Sequence, residues 1–104
     1  MAREARPQLD LLLLATLGRG PSHGYRAIEL MRERSEGFFD YPEGTVYPAL
    51  HRLERDGLVT SEWSTGASRR RRIYQLTPGG RSLLVRERKE WALLARAIEA
   101  VVGT

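Results

Sequence analysis

Apolar residues recur with helical spacing along most of this 104-residue chain. The stretch "QLDLLLLATLGRGP" (8–21) predicts a first helix that ends at Gly18 and Gly20, with Pro21 beyond. Its leucines cover nearly the whole circumference, and a helix that is apolar all round is buried on more than one side. In so small a chain, this pattern predicts that a partner subunit covers one face.

A second helix is predicted by "SHGYRAIELMRERS" (22–35). Ser22 is a good candidate for its N-cap. Its inner stripe is predicted to consist of Tyr25, Ile28 and either Met31 or Arg32. The aromatic and acidic stretch that follows predicts a loop.

A third helix, from about Glu43 to Asp56, is predicted by "PEGTVYPALHRLERDGLV". Its buried stripe is Val46, Leu50 and Leu53, which follow helical spacing. Pro48 lies in the first turn or so, where helices are least regular. Its cost should therefore be below the 3 kcal/mol or more of a proline in a helix interior. We interpret "GTVYP" as an exposed leading edge and the rest as its scaffold.

Two strands with alternating side chains follow, over 58–64 and 71–77, joined by a loop that contains Gly66. This order predicts a hairpin. The residues predicted to share a face are Val59, Ser61 and Trp63 in the first strand, and Arg72, Tyr74 and Leu76 in the second.

The last predicted element is a long helix over 81–102. Thr77 can cap it and Pro78 suits a first helical position, whereas the glycines at positions 79 and 80 weaken this start. Its apolar stripe has spacings of 3, 4 and 7 residues. The helix is too long to be covered by a small three-helix core.

Charge adds one sharp local feature. Lysine and arginine number 17 against 13 acidic residues, a net charge of +4, and all but one of these cations are arginine. Four arginines are consecutive, from Arg69 to Arg72, at the end of the hairpin loop. Alternation along a strand puts Arg69 and Arg71 on one face, and Arg70 and Arg72 on the other.

Several classes of function find no support in the sequence. Without cysteine there is neither a disulfide nor a thiolate metal site. His23 and His51 lack metal-ligand spacing, and no nucleophile elbow, P-loop or dinucleotide fingerprint occurs, so we expect no metal, no cofactor and no enzyme. No signal-peptide pattern opens the chain, and the longest apolar run is too short to span a bilayer, which predicts a cytoplasmic protein.

The order of elements predicts a mainly α fold: a winged helix-turn-helix with a two-stranded wing and an added C-terminal helix. The third helix would be the recognition helix in a major groove of DNA, and the wing would contact the backbone. Predicted contacts on the recognition helix are Gly44, Thr45, Tyr47, Pro48, His51 and Arg52. Those on the wing are Ser68, Arg69, Arg70, Arg71 and Arg72. Those at the start of the second helix are Ser22, His23 and Tyr25.

Four motifs resemble the PadR family of bacterial transcriptional regulators: "HGYRAIEL", "GTVYPALHRLERDGLV", "RRRRIYQLTPGG" and the late "EW". With one C-terminal helix, the chain is similar to the compact subfamily. Many relatives have Ser then Pro before the Gly-Thr pair, where this chain has Pro42 and Glu43. An acidic side chain there repels phosphate, or reads cytosine N4.

The resemblance implies a DNA-binding domain at 1–77 and a dimerisation helix at 78–104. It implies a homodimer, usually a repressor, on a pseudo-palindromic operator. It also implies that a small planar aromatic effector is sandwiched at Trp91, for which simple packing in the dimer core is the alternative. Residues predicted at this dimer and effector interface are Leu11, Leu14, Trp91, Leu94 and Ile98. The alternative function is a protein-interaction module that binds no DNA.

Overall fold

The computed structural model describes residues 5–64 and 70–103. Within these residues, four helices and three strands follow the predicted order, with a third strand added. They are α1 (Ala5–Gly18), β1 (Ser22–His23), α2 (Gly24–Arg34), α3 (Glu43–Arg55), β2 (Val59–Trp63), β3 (Arg72–Leu76) and α4 (Pro78–Val102). The fold is mainly helical, and it is a winged helix-turn-helix with a long C-terminal helix, as predicted.

The N-cap of the second helix is His23 rather than the predicted Ser22, so the helix begins at Gly24. The ring Nδ1 of His23 accepts a hydrogen bond of 3.2 Å from the backbone N–H of Arg26. Ser22 is buried in β1, where its hydroxyl donates to the His23 carbonyl. Ile28 and Met31 are buried on the inner stripe, as predicted, together with Ala27, whereas Tyr25 is 51% exposed and does not belong to it.

The core lies where α1, α2 and α3 meet the sheet and the start of α4. The predicted stripe of α3 is confirmed, since its three apolar residues are among the most buried of those described. Leu14 is 0% exposed within its own chain, so its prediction as a dimer contact is corrected: it belongs to the core of the protomer. Leu11 stays partly exposed and packs beside that core.

The three strands form an antiparallel sheet in the order β1-β3-β2. The β2–β3 register pairs Val59 with Leu76, Ser61 with Tyr74 and Trp63 with Arg72, which confirms the predicted faces. The short β1 pairs with Ile73 and Tyr74 on the other side of β3. A two-residue strand carries no alternation, and for that reason the sequence pattern does not show it.

Thr77 caps the start of α4, as predicted, but the glycines at positions 79 and 80 do not prevent the helix from forming there. Thr77 Oγ1 accepts a 3.0 Å bond from Gly80 N–H and donates a 2.7 Å bond to the Gly57 carbonyl, so the helix begins at Pro78. A Cβ at position 80 would collide with the Leu58 carbonyl. Gly80 is therefore required for the close approach of α4 to the chain that enters β2.

The far half of α4 projects from the rest of the molecule. With this helix included, the molecule measures 54 × 28 × 27 Å. Its apolar stripe is open to solvent in the single chain: Trp91 is 59% exposed and Ile98 is 53% exposed, with Leu94 similar. None of the described helices combines the length and apolar character needed to cross a bilayer.

Candidate nucleic-acid interface

The start of α2, the start of α3 and the wing surround one open cleft of about 690 Å³. Residues predicted separately from three parts of the sequence are thereby brought together. The residues that line the cleft are His23, Gly24, Tyr25, Glu43, Tyr47, His51, Trp63, Arg70, Arg71, Arg72 and Tyr74. Arginine donors, hydroxyls and histidines on a concave surface suit an anionic partner with polar edges.

The first turn of α3 projects as an exposed edge. Its N-cap, Pro42, offers no side-chain hydrogen bond, and the Pro42 carbonyl instead accepts from the N–H groups of Thr45 and Val46 at 3.0 and 3.1 Å. Gly44 and Thr45 are exposed, and no neighbouring atom lies within 4 Å of a Cβ built on Gly44. The backbone here is accessible to a large partner.

The Tyr47 side chain lines the cleft and also packs against the start of α2. A Cβ on Gly24 would lie 2.6 Å from Cε1 of the Tyr47 ring, so the glycine makes room for the aromatic ring. Tyr47 is half-buried, whereas its neighbours Pro48 and His51 are exposed. The ring therefore joins α3 to the start of α2 while one side faces the cleft.

Arg52, predicted as a DNA contact, has a different partner. Its two terminal nitrogens donate bonds of 2.9 and 2.8 Å to the two carboxylate oxygens of Asp10 on α1. The hydrogen bond to Asp10 raises the pKa of Arg52 above its ordinary value. We therefore leave Arg52 out of the proposed interface and assign it a structural role. Asp10 lies 42 residues away in sequence, where no local pattern connects the two.

The wing arginines gather on an aromatic ring that the sequence analysis did not select. The guanidinium carbons of Arg70 and Arg72 lie 4.6 and 5.1 Å from the centroid of the Trp63 ring, so these two share a face, as the alternation predicted. Arg72 Nε also donates a 2.8 Å bond to Ser61 Oγ. The predicted wing residues Ser68 and Arg69 lie outside the described part of the chain.

Arg71 points to the start of α2 instead. Its Nη1 lies 2.9 Å from Nε2 of His23. Burial, and then the charge of Arg71, lower the pKa of His23. A neutral imidazole has one acceptor nitrogen, and Nδ1 already accepts from Arg26, so Nε2 carries the hydrogen and cannot also accept from Arg71. The Arg71 contact is therefore weak and leaves its donors available.

No group of three or more potential metal ligands occurs among the residues that the structure describes.

Comparison with known proteins gives a consistent result. The model of the family described as "Transcriptional regulator PadR-like family" matches residues 13–86. Transcriptional regulator Rv3488 of Mycobacterium tuberculosis is 44% identical over 69 residues, which are 66% of this chain and 64% of that protein. Transcriptional regulator YqjI of Escherichia coli is 28% identical over 93 residues, 89% of this chain and 44% of that protein. The chain thus spans less than two thirds of the length of either relative.

Solved structures match over nearly their whole length. A transcriptional regulator from Clostridium thermocellum, Cth-833, has a TM-score of 0.84 at 30% identity, covering 93% of this chain and 95% of that one. A PadR family transcription regulator from Clostridium difficile R20291 has a TM-score of 0.81 at 31% identity, covering 90% and 97%. At 93% and 90% of this chain, both similarities are too long to leave out the whole 25-residue C-terminal helix.

Proposed function

Because this chain belongs to the PadR-like family of transcriptional regulators, we propose that it binds double-stranded DNA as a homodimer and represses transcription. One observation carries the proposal. The start of α2, the start of α3 and three arginines of the wing line the same cleft. A face of this kind matches a phosphate backbone and the base edges beside it.

The exposed edge of α3 suits a major groove. Thr45 offers a hydroxyl and a methyl group, His51 offers a ring nitrogen, and Gly44 lets the backbone approach closely. The wing would lie alongside, with Arg70 and Arg71 against phosphates or in a narrow minor groove. The helix supplies sequence preference and the arginines supply most of the affinity.

The exposed stripe of α4 supports dimerisation. Trp91, Leu94 and Ile98 are more than half exposed in the single chain, and they follow one another on one side of the helix. In the proposed dimer they pack against α1 of a second copy, where Leu11 is partly open. A two-fold dimer would read half-sites one helical turn (about 10 bp) apart or a multiple of it.

Release would come from a small planar aromatic effector at Trp91. Its indole is open on the stripe that would meet the partner, so two such rings could hold a flat molecule between them. The effector can release DNA only if it binds the released form more tightly than the bound form.

A protein-interaction module without DNA binding is the second candidate. Glu43 favours it, because an exposed carboxylate at the leading edge of α3 repels phosphate. Three arginines line the same cleft and outnumber it, which favours DNA.

A gel-shift titration with the DNA upstream of its own gene, repeated over a series of salt concentrations, tests the proposal. We expect a specific complex whose log affinity falls linearly with log salt. Arg71→Ala should flatten that line, while Tyr47→Phe, which keeps the ring on Gly24, should reduce sequence preference. Arg34→Ala, outside the cleft, is the control for charge. Absence of specific binding at moderate salt, with a stable complex with another protein in pull-down, would favour the second candidate instead.

A further inference from the structure

We infer that Trp63 is a positioning residue of the DNA-binding surface, which holds the guanidinium groups of Arg70 and Arg72 ready for phosphate. The inference rests on the proposed function and deepens it, since it assigns the wing's affinity to a stack of one indole and two arginines. Tryptophan is the strongest aromatic partner for a cation within about 6 Å of the ring centroid. Both arginines lie inside that distance, at 4.6 and 5.1 Å.

Two like charges beside one ring repel each other, so their placement needs an explanation. Among the described residues, neither Arg70 nor Arg72 forms an ion pair with a carboxylate. Trp63 is 49% exposed at the end of β2, directly across from Arg72, so its ring is not part of the core. The stack therefore concentrates positive charge at the cleft, and a phosphate would relieve the repulsion.

The stack also leaves the right atoms free. A guanidinium that rests its face on a ring keeps its N–H donors at the edge, in the plane that a phosphate approaches. Arg72 Nε donates to Ser61 Oγ, and Ser61 in turn donates a 2.7 Å bond to Glu54. Within residues 5–64 and 70–103, the terminal nitrogens of Arg72 have no hydrogen-bond partner. Because a free arginine has many rotamers that binding must restrict, the ring lowers the entropic cost of each contact.

A double-mutant cycle tests the inference. The probe is the DNA fragment that the wild-type protein binds most tightly in a selection from genomic fragments. We expect Trp63→Leu to weaken binding roughly fivefold, from the loss of the cation–π contacts, and Trp63→Phe to retain most of the affinity. In an Arg70→Gln, Arg72→Gln background, Trp63→Leu should change affinity less than about twofold, because the groups it positions are gone.

Two outcomes would overturn the inference: an equal loss in both backgrounds, which indicates general damage to the sheet, or wild-type affinity in Trp63→Leu. NMR of the free protein, which needs no DNA, distinguishes failure of the inference about Trp63 from failure of the proposed function. Ring currents should shift the side-chain NMR signals of Arg70 and Arg72 in the wild type, and Trp63→Leu should abolish that shift. If the wild type binds no DNA, the function fails, and the inference fails with it even where the shift shows the stack.

Discussion

Arg52 of α3 and Asp10 of α1 form a bidentate ion pair, with bonds of 2.9 and 2.8 Å, and their side chains are only 23% and 21% exposed. The pair joins α3, which carries the proposed DNA-reading edge, to α1, on which the α4 helix of a second copy is proposed to pack. Its geometry is the one in which arginine binds a carboxylate best. Because the pair is partly buried, dissolved salt screens its attraction less than that of an exposed ion pair.

Arg52→Ala should lower the free energy of unfolding by about 1–3 kcal/mol, because it leaves a half-buried carboxylate without its partner. Urea unfolding followed by circular dichroism measures this. Arg55→Ala is the matched control, since Arg55 is exposed and 4.0 Å from its own acidic neighbour. In gel shifts, Arg52→Ala should keep the slope of log affinity against log salt. A flatter slope would show that Arg52 contacts phosphate after all.

Gly80→Ala should destabilise the protein by more than about 2 kcal/mol, because the new Cβ meets the backbone carbonyl of Leu58 and not a flexible side chain. Gly79→Ala is the control one residue away, where a Cβ meets its nearest neighbours at 3.7 and 3.8 Å. That variant should gain up to about 1 kcal/mol from the lower helix cost of alanine. Equal melting temperatures for the two variants would contradict the required close approach.

His23 should make stability depend on pH. Its pKa is lowered from 6.5 by burial and by Arg71, with Glu29 opposing and Arg26 adding to the effect. As the pH falls through 6.5, the unfolded chain takes up this proton first, so stability decreases towards the folded-state pKa and then levels off. Above this pH range, the titration of His23 does not lower the free energy of unfolding.

His23→Asn removes this titration and retains an N-cap. As the pH is lowered from about 7.5 to about 5.5, the range in which histidine changes charge, the melting temperature of the variant should increase relative to that of the wild type. His51→Asn, on the exposed side of α3, controls for removing a histidine. A difference between His23→Asn and wild type that does not change with pH would argue against the assigned cause.

Ile98→Arg should convert a dimer to monomers by placing a charge on the exposed stripe of α4, a change worth several kcal/mol per interface when the charge is buried unpaired. Light scattering after size exclusion gives the mass directly. Arg96→Glu is the control, since two residues correspond to about 200° around the helix, nearly the opposite side. A monomeric wild type, or a dimer that tolerates Ile98→Arg, would reject the proposed interface.

Trp91 should report an aromatic effector. In a Trp63→Phe background the remaining tryptophan is Trp91, and planar aromatic compounds should quench its fluorescence as they stack on it. The same compounds should weaken DNA binding in the gel shift. Fluorescence that is indifferent to a broad panel would leave Trp91 as a packing residue of the dimer core.

Helices and the hairpin were predictable because their signals are local and periodic. The stripe of α3, the β2–β3 faces and the Thr77 cap each depend on residues a few positions apart. The Arg52–Asp10 pair could not be predicted, because the two residues lie in different helices and nothing in either helix indicates the other. Likewise, two glycines at a helix start predict an unstable helix end. Their role became clear only from the structure, in which the Leu58 carbonyl lies against Gly80.

The candidate site was predicted in its segments but not in its internal contacts. Alternation correctly placed Arg70 and Arg72 on one face, and the β2–β3 register puts Trp63 across from Arg72 on the neighbouring strand. Alternation could have identified Trp63, had the register been known. The choice between Ser22 and His23 as the N-cap depended on β1, since pairing with β3 commits Ser22 to a strand.

The start of α4 is attached to the backbone at Gly57 and Leu58, while its far end projects from the molecule. The Thr77 N–H donates to the Leu58 carbonyl at 3.1 Å, the Thr77 hydroxyl donates to Gly57, and Gly80 rests on the same carbonyl. The end of α3 and the start of α4 are thus fastened to one point of the backbone. A helix of 25 residues is about 37 Å long, so one degree of tilt at this point moves its far end by roughly 0.6 Å. A displacement of the far end by about 3 Å corresponds to a rigid tilt of roughly 5° about this junction, to which the end of α3 is also attached.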